Sequence, residues 1–274
     1  MKKRSLISRL LGAPYILWSA IFIVVPLIIV VYYAFTDKSG AFTVANLASL
    51  ADYKDTFLIS VYYSVIATVI TLIIAYPFAY FLTKAKASSQ KMMLMLVMLP
   101  MWMNLLIRTY SWMNILERNG IINNVLAHFG VEPLKMVGTG GAVILGMVYN
   151  YLPYMVIPIY NVMSKIDVSL LEAADDLGAN AFQRLRRVIM PLSVPGVVSG
   201  ITMVFVPSVS TFYISQKLGG GKIMLIGDAI ERQIQQQYNY NLGASISLVL
   251  MVMILISMAI MNKFADGDEG GMLV

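Results

Sequence analysis

The chain alternates long uncharged apolar runs with short charged segments, and six of the runs are long enough to cross a bilayer. A helix needs about 20 consecutive apolar residues to span the hydrocarbon core. The qualifying stretches are roughly 13–35, 57–82, 92–116, 139–163, 193–213 and 243–263. The first begins after Arg9, and the opening Met-Lys-Lys-Arg is similar to the charged start of a secretory leader. Its apolar stretch exceeds the roughly 7–15 residues of such a leader and no small-x-small cleavage site closes it, so it reads as an uncleaved first span. Pro77, Pro100, Pro153, Pro158 and Pro207 interrupt the spans, and Gly138, Gly140, Gly141 and Gly146 cluster around the fourth. Broken helices persist in lipid where neighbouring helices or a watery cavity satisfy the freed backbone groups. The pattern favours a pathway or a moving bundle over a passive anchor; at any single proline, an ordinary kink in a packed helix is the plain alternative.

One polar insert stands out between the fourth and fifth runs: Leu170 to Pro191, LLEAADDLGANAFQRLRRVIMP. Ser169 followed by Glu172 makes a capping-box pattern, in which Ser caps the first turn and Glu reaches back. Ala173 and Ala174 are strong helix formers with almost no side chain, so another surface can come close. Gly178 suits the left-handed residue that ends a helix, and Asn180 can cap the next. The second helix is expected from about Ala181 to Ile189, with Phe182 projecting, Arg184, Arg186 and Arg187 giving it basic character, and Pro191 stopping it. The expected product is a helix-turn-helix whose exposed Phe182 fits a partner's groove. A solvated charged face is its plain alternative.

Composition places the chain in a membrane. It is 59% hydrophobic and 12% charged, against about 25% charged in an ordinary soluble domain. With 274 residues and no long polar block, residues 1–274 read as one integral membrane domain, without room for an attached ATPase or receptor domain. Cysteine is absent, so there is no disulfide framework, thiolate metal site or catalytic thiol. The net charge of +6 does not indicate nucleic acid, because the basic residues sit beside the apolar runs as topology signals. Lys2, Lys3, Arg4, Arg9, Lys84, Lys86, Lys91, Lys165, Arg184, Arg186, Arg187 and Lys263 make twelve on one side; the opposite connections carry seven. The positive-inside rule then puts both termini and the polar insert in the cytoplasm.

The insert resembles the EAA loop of bacterial ABC importer permeases through Glu172, Ala173, Ala174, Gly178, Val188, Met190 and Pro191, with Val188 and Met190 standing where Ile and Leu are usual. The resemblance extends along the chain through LPMWMNLLIRTYSWMNIL (Leu99 to Leu116), NGIINNVL (Asn119 to Leu126) and VPSVSTFYISQKLGGGK (Val206 to Lys222). Those runs are similar to spermidine/putrescine importer permeases, most of all the B-type subunit. The resemblance implies an all-α polytopic protein with six transmembrane helices, in the type I (MetI-like) permease fold. It implies a multi-pass subunit of a bacterial cell (inner) membrane, with a coupling loop at about 165–191 in which Glu172, Ala173, Ala174, Gly178 and Phe182 dock an ATPase. It also implies its partners: a second homologous permease, two cytoplasmic ABC ATPases that bind ATP and Mg, and an extracellular or periplasmic polyamine-binding protein. No cofactor or metal is expected in this subunit. It carries no GxxxxGK[ST] phosphate loop, and GGGK at Gly219 to Lys222 lacks the spacing, so no enzymatic activity of its own is expected.

A polyamine path calls for carboxylates and for aromatic faces that accept ammonium groups and methylenes. Trp102, Tyr110, Trp112, Tyr149, Tyr151 and Tyr154 are candidate aromatics, each with an interface-belt or core alternative. No acid lies in any span; Asp228 and Glu231, in an amphipathic external segment, are the nearest carboxylates, with simple solvation as their alternative. Arg108 is the one basic residue inside a span, which marks a gate, a structural pair or a side chain snorkelling to the interface. Asn104 and Asn150 offer neutral polar contacts to the path or bonds between helices, as does Asn114. His128, the only histidine, has no ligand partners at metal spacing. The alternatives are an ABC permease for another small solute, such as thiamine, iron or an organic anion, and, less favoured, an ion-coupled secondary carrier, which calls for intramembrane acids.

Overall fold

The computed structural model describes residues 14–266, so Lys2, Lys3, Arg4 and Arg9 lie outside the described residues. Long helices follow the apolar runs and short ones lie between them, numbered in chain order α1 (Pro14–Ala34), α2 (Lys54–Lys84), α3 (Ala87–Trp102), α4 (Leu105–Leu116), α5 (Ile121–His128), α6 (Gly140–Met163), α7 (Val168–Asp176), α8 (Ala181–Ser210), α9 (Tyr213–Leu218), α10 (Ile226–Glu231) and α11 (Tyr240–Asp266). Among the described residues five helices are long and apolar enough to cross a membrane, or six if a sharply bent pair is one span.

That bent pair corrects the expectation of a continuous third span over 92–116. Helix α3 ends at Trp102, and the path turns by 94° into α4. Pro100 lies in the last turn of α3 and Met103 is extended. Asn104 then starts a fresh helix, its side chain accepting from the Leu106 amide at 2.7 Å, a cap that satisfies one of the amides a helix start leaves unpaired. Elsewhere proline does not break the helix. Pro153 and Pro158 lie inside α6, and Pro195 and Pro207 inside α8. Pro191, expected as a stop, sits within α8 as well, because a π-turn at Leu185–Ile189 precedes it. Widening to i→i+5 hydrogen bonds absorbs an irregularity without ending the helix.

The chain divides into two compact units, one made of residues up to Lys54 with Ala229–Met253, the other of Asp55–Asp228 with the segment from Ile254. In the first, polar side chains tie off the end of α1. Asn241 Nδ2 donates to the carbonyls of Thr36 (2.7 Å) and Tyr33 (3.2 Å), Ser245 Oγ to that of Ala34 (3.1 Å), and Asn46 Nδ2 to that of Thr36 (2.9 Å). The Tyr33 and Ala34 carbonyls belong to the last turn, whose acceptors a helix end leaves without intrahelical partners, and Thr36 lies just past it.

In the second unit small residues set the packing. Helix α2 buries Ser60, Ser64, Ala67, Thr68, Thr71, Ala75 and Ala79, and its hydroxyls bond carbonyls one turn back, as Ser64 to Ser60 (2.7 Å) and Thr71 to Ala67 (2.6 Å). Helices α6 and α8 meet through Gly196 and Gly200. A Cβ at Gly196 would stand 2.9 Å from the Pro158 carbonyl oxygen; one at Gly200, 2.7 Å from Met155 Sδ. Without lipid-phase hydrophobic drive between helices, such close approach supplies the attraction. Met155, Ile159 and Val204 fill the core beside this crossing.

Candidate functional site

The polar insert folds as two short arms around a tight turn. Helix α7 is capped by Asp167, whose carboxylate accepts from the Ser169 amide at 3.0 Å. Ser169 is therefore inside the helix, and the expected Ser169–Glu172 box does not form; a carboxylate two residues earlier wins the cap. The Ser169 amide, and after it the Ser169 hydroxyl, hold the Asp167 carboxyl below its ordinary range. At the other end Gly178 takes φ +78°. The Ala179 amide bonds the Ala174 carbonyl (3.0 Å) and the Gly178 amide the Asp175 carbonyl (2.9 Å), the Schellman pairing that satisfies the last carbonyls of a helix. Asn180 opens α8 with a full capping box: its Oδ1 accepts from the Gln183 amide (2.8 Å), and Gln183 Oε1 accepts from the Asn180 amide (2.9 Å).

An ion pair between Arg184 and Asp175 ties the two arms together. Leu171 and Leu185 root them in the core around Met163 and Ile189. Outside, among charged residues that include Asp175, Asp176, Arg186 and Arg187, two large apolar side chains stand uncovered: Phe182 is 68% exposed and Leu177 89%. Glu172 and Ala173 are exposed as well, and Ala174 is half-buried. The segment is a stiff, anchored knuckle with an uncovered apolar tip. Sequence reasoning found Phe182 but missed Leu177, whose signal was there: it is the one large apolar residue between Asp175 and Ala181.

The candidate path residues do not converge on one spot. Trp112 and Tyr149 meet edge to face with ring centroids 5.3 Å apart, joining α4 to α6. Tyr151 and Tyr154 are ring neighbours at 6.4 Å, and Tyr151 Oη donates to the Pro207 carbonyl at 3.2 Å. Asn150 is buried and spends its Nδ2 on the Gly146 carbonyl at 2.8 Å, while its Oδ1 has no partner among the described residues. Arg108 is half-buried, with Nε and Nη1 shielded from solvent and without acceptors among the described residues. Trp102, at the end of α3, is 77% exposed, and Asn104 is the cap of α4. Asp228 is only 6% exposed and accepts from the Leu225 amide at 2.7 Å, so it holds the start of α10. Glu231 accepts from Gln236 Nε2 at 3.2 Å and belongs to the other unit.

Tyr110 has neighbours that sequence reasoning did not join to it. Its ring stands 6.3 Å from that of Tyr213, nearly perpendicular at 73°. Lys217 Nζ lies 5.1 Å from the Tyr110 centroid and 5.7 Å from that of Tyr213. Tyr213 and Lys217 are four residues apart on α9 and so share a helix face, a spacing visible in the sequence.

The all-helical fold, the proline-interrupted spans and the anchored EAA knuckle define a membrane subunit of a binding-protein-driven transport system. The family described as "Binding-protein-dependent transport system inner membrane component" matches residues 90–266, and the chain belongs to it. Among curated relatives, the spermidine/putrescine transport system permease protein PotB of Haemophilus influenzae is 38% identical over 226 residues, 79% of each chain. PotB of Escherichia coli is 37% identical over 226 residues, 79% of this chain and 82% of that one. The inner membrane ABC transporter permease protein YdcU of E. coli is 29% identical over 209 residues, 69% of this chain and 66% of that one. Among solved structures, a chain of a bacterial ABC transporter that imports the acidic polysaccharide alginate superposes with TM-score 0.78 at 17% identity, covering 95% of both chains, and thus shares the fold.

Proposed function

We propose that this chain is the permease subunit of an ATP-driven importer that takes up polyamines of the spermidine/putrescine class by alternating access. Two relatives at 37–38% identity over about four fifths of the chain carry that substrate in their names. The single structural observation behind the coupling role is the knuckle at 165–191, rigidly capped on both arms and rooted in the core, with Leu177 and Phe182 uncovered. An apolar tip of that kind is held in place for a soluble partner.

In this reading two cytoplasmic ATPases receive the knuckle of this chain and that of a second, homologous permease. ATP and Mg bind to those ATPases. A polyamine-binding protein delivers substrate from outside, in keeping with the binding-protein dependence of the family. Both termini and the knuckle lie on the cytoplasmic side, as the distribution of Lys and Arg favours.

The test is ATP-dependent uptake of labelled spermidine into proteoliposomes holding the whole complex, for wild type and Gly178→Val. A β-branched residue at φ +78° strains the turn by about 1–2 kcal/mol and tilts one arm against the other. Uptake by wild type and its loss in the variant, with the complex still assembled, supports substrate and coupling route together. No uptake by wild type removes the polyamine assignment. Uptake undiminished in Gly178→Val removes the coupling role of the turn.

A further inference from the structure

Lysine carries a four-methylene stem ending in an ammonium, the same aminobutyl fragment that ends putrescine and one arm of spermidine. In this structure such a fragment already sits in an aromatic site. Lys217 Nζ lies over the rings of both Tyr110 and Tyr213, at 5.1 and 5.7 Å from their centroids. Cations are attracted to ring faces within about 6 Å. Lys217 forms no salt bridge with a carboxylate among the described residues; its partners are the two tyrosine rings and the hydroxyl of Tyr110 beside it.

The site is open rather than sealed. Tyr110 is 42% exposed, on a face of α4 that also shows Leu106, Ile107, Ser111 and Asn114. Tyr213 and Lys217 are half-buried. Helix α9 packs against both α4 and α6, which fixes the two rings relative to one another while the lysine stem, a flexible chain, remains free to swing out.

We propose that Lys217 is a tethered competitor: its ammonium fills the Tyr110–Tyr213 site in the unloaded subunit, and an incoming aminoalkyl cation displaces it. This rests on the polyamine reading above. A ligand held on a short tether competes at an effective concentration in the millimolar range, so it weakens capture of substrate without abolishing it. The tether also returns: once the substrate moves on, Lys217 refills the site and opposes back-binding.

The experiment measures spermidine uptake kinetics of the reconstituted complex for wild type, Lys217→Gln, Tyr110→Leu and the double variant, with complex assembly checked by size-exclusion chromatography. Lys217→Gln empties the site, and the KM for spermidine falls by about 3–10-fold. In the Tyr110→Leu background, where the site is dismantled, the same substitution changes KM by less than about twofold. That non-additivity separates occupancy of a site from simple charge repulsion. Lys217→Arg, a cation that also favours ring faces, keeps KM near wild type. An equal fall in KM with and without Tyr110 overturns the proposal in favour of repulsion, and an unchanged KM in Lys217→Gln overturns it outright. Wild type that takes up no polyamine removes the substrate reading itself, an outcome distinct from both.

Discussion

Single groups in this chain show where charge is satisfied and where it is not. Asp167 is satisfied: its carboxylate accepts from the Ser169 amide and is held below the ordinary carboxylate range. A depressed folded pKa means that the cap's contribution is complete above the pKa of the unfolded chain and is lost as pH falls through the folded value. The protection of the Ser169 and Leu170 amides, taken relative to their intrinsic exchange rate at each pH, is therefore expected to fall as the medium is acidified through the folded value. Asp167→Asn, which still caps but does not titrate, flattens the profile; an identical profile in both proteins rules the carboxylate out. Arg108 is the opposite case, with Nε and Nη1 shielded and without acceptors among the described residues. Replacing a half-buried charge whose inner nitrogens lack acceptors with an apolar side chain of similar volume is expected to be neutral or stabilising, as for buried ionic groups replaced by well-packed apolar ones. Arg108→Met is thus expected to leave the thermal unfolding midpoint of the isolated, detergent-solubilised subunit unchanged or raised. A loss above about 2 kcal/mol would reveal an acceptor.

At the scale of elements, the crossing of α6 and α8 depends on glycines that differ in what they touch. At Gly196 the nearest obstacle to a Cβ is a backbone carbonyl oxygen, at 2.9 Å; at Gly200 it is the sulfur of Met155, at 2.7 Å. Backbone cannot step aside, whereas a methionine tip can, which leaves at Gly200 the Met155 carbonyl oxygen, at 3.2 Å, as the looser backbone limit. Gly196→Ala is expected to cost about 1–3 kcal/mol of stability and Gly200→Ala clearly less, read as denaturation midpoints in detergent. Equal costs would show that Met155, through its side chain or its carbonyl at 3.2 Å, limits Gly200 as firmly as the Pro158 carbonyl limits Gly196. The sequence shows which elements exist, because apolar runs of spanning length have few readings. It does not show how they begin, end or bend. The runs at 139–163 and 243–263 were legible almost to the residue, with α6 at Gly140–Met163 and an apolar span at Tyr240–Met261. The run at 92–116 was not, because the 94° turn needs Pro100, an extended Met103 and the cap at Asn104 acting together. Pro191 misled for the converse reason, since the π-turn before it is a relation between backbone groups that no single residue type announces. In the knuckle, Gly178 and Asn180 were legible because a left-handed turn and a cap restrict residue type strongly. The Asp175–Arg184 tie and the Tyr110–Lys217 approach join groups on different elements, and these emerge only once the chain is folded.

For the whole molecule, the decisive feature is that its most exposed apolar side chains on the knuckle contribute nothing visible to its own core. Leu177 and Phe182 project away from it, while Leu171 and Leu185 face inward. Stability and the proposed coupling role are therefore expected to be separable in this chain. Leu177→Ala and Phe182→Ala are each expected to leave the unfolding midpoint of the subunit within about 0.5 kcal/mol of wild type, as for surface positions generally. On the coupling role proposed above, the same changes are expected to remove an anchor from the ATPase contact, where a buried aromatic or aliphatic side chain is worth about 2 kcal/mol or more, close to a 30-fold loss of association. Co-purified ATPase and spermidine-dependent ATP hydrolysis should fall together. Leu171→Ala behaves in the reverse sense, lowering the unfolding midpoint through the core before any effect on docking is felt. Should Phe182→Ala retain full ATPase binding while losing thermal stability, the knuckle would be a packing element and the route by which ATP hydrolysis reaches this subunit would have to lie elsewhere on the chain.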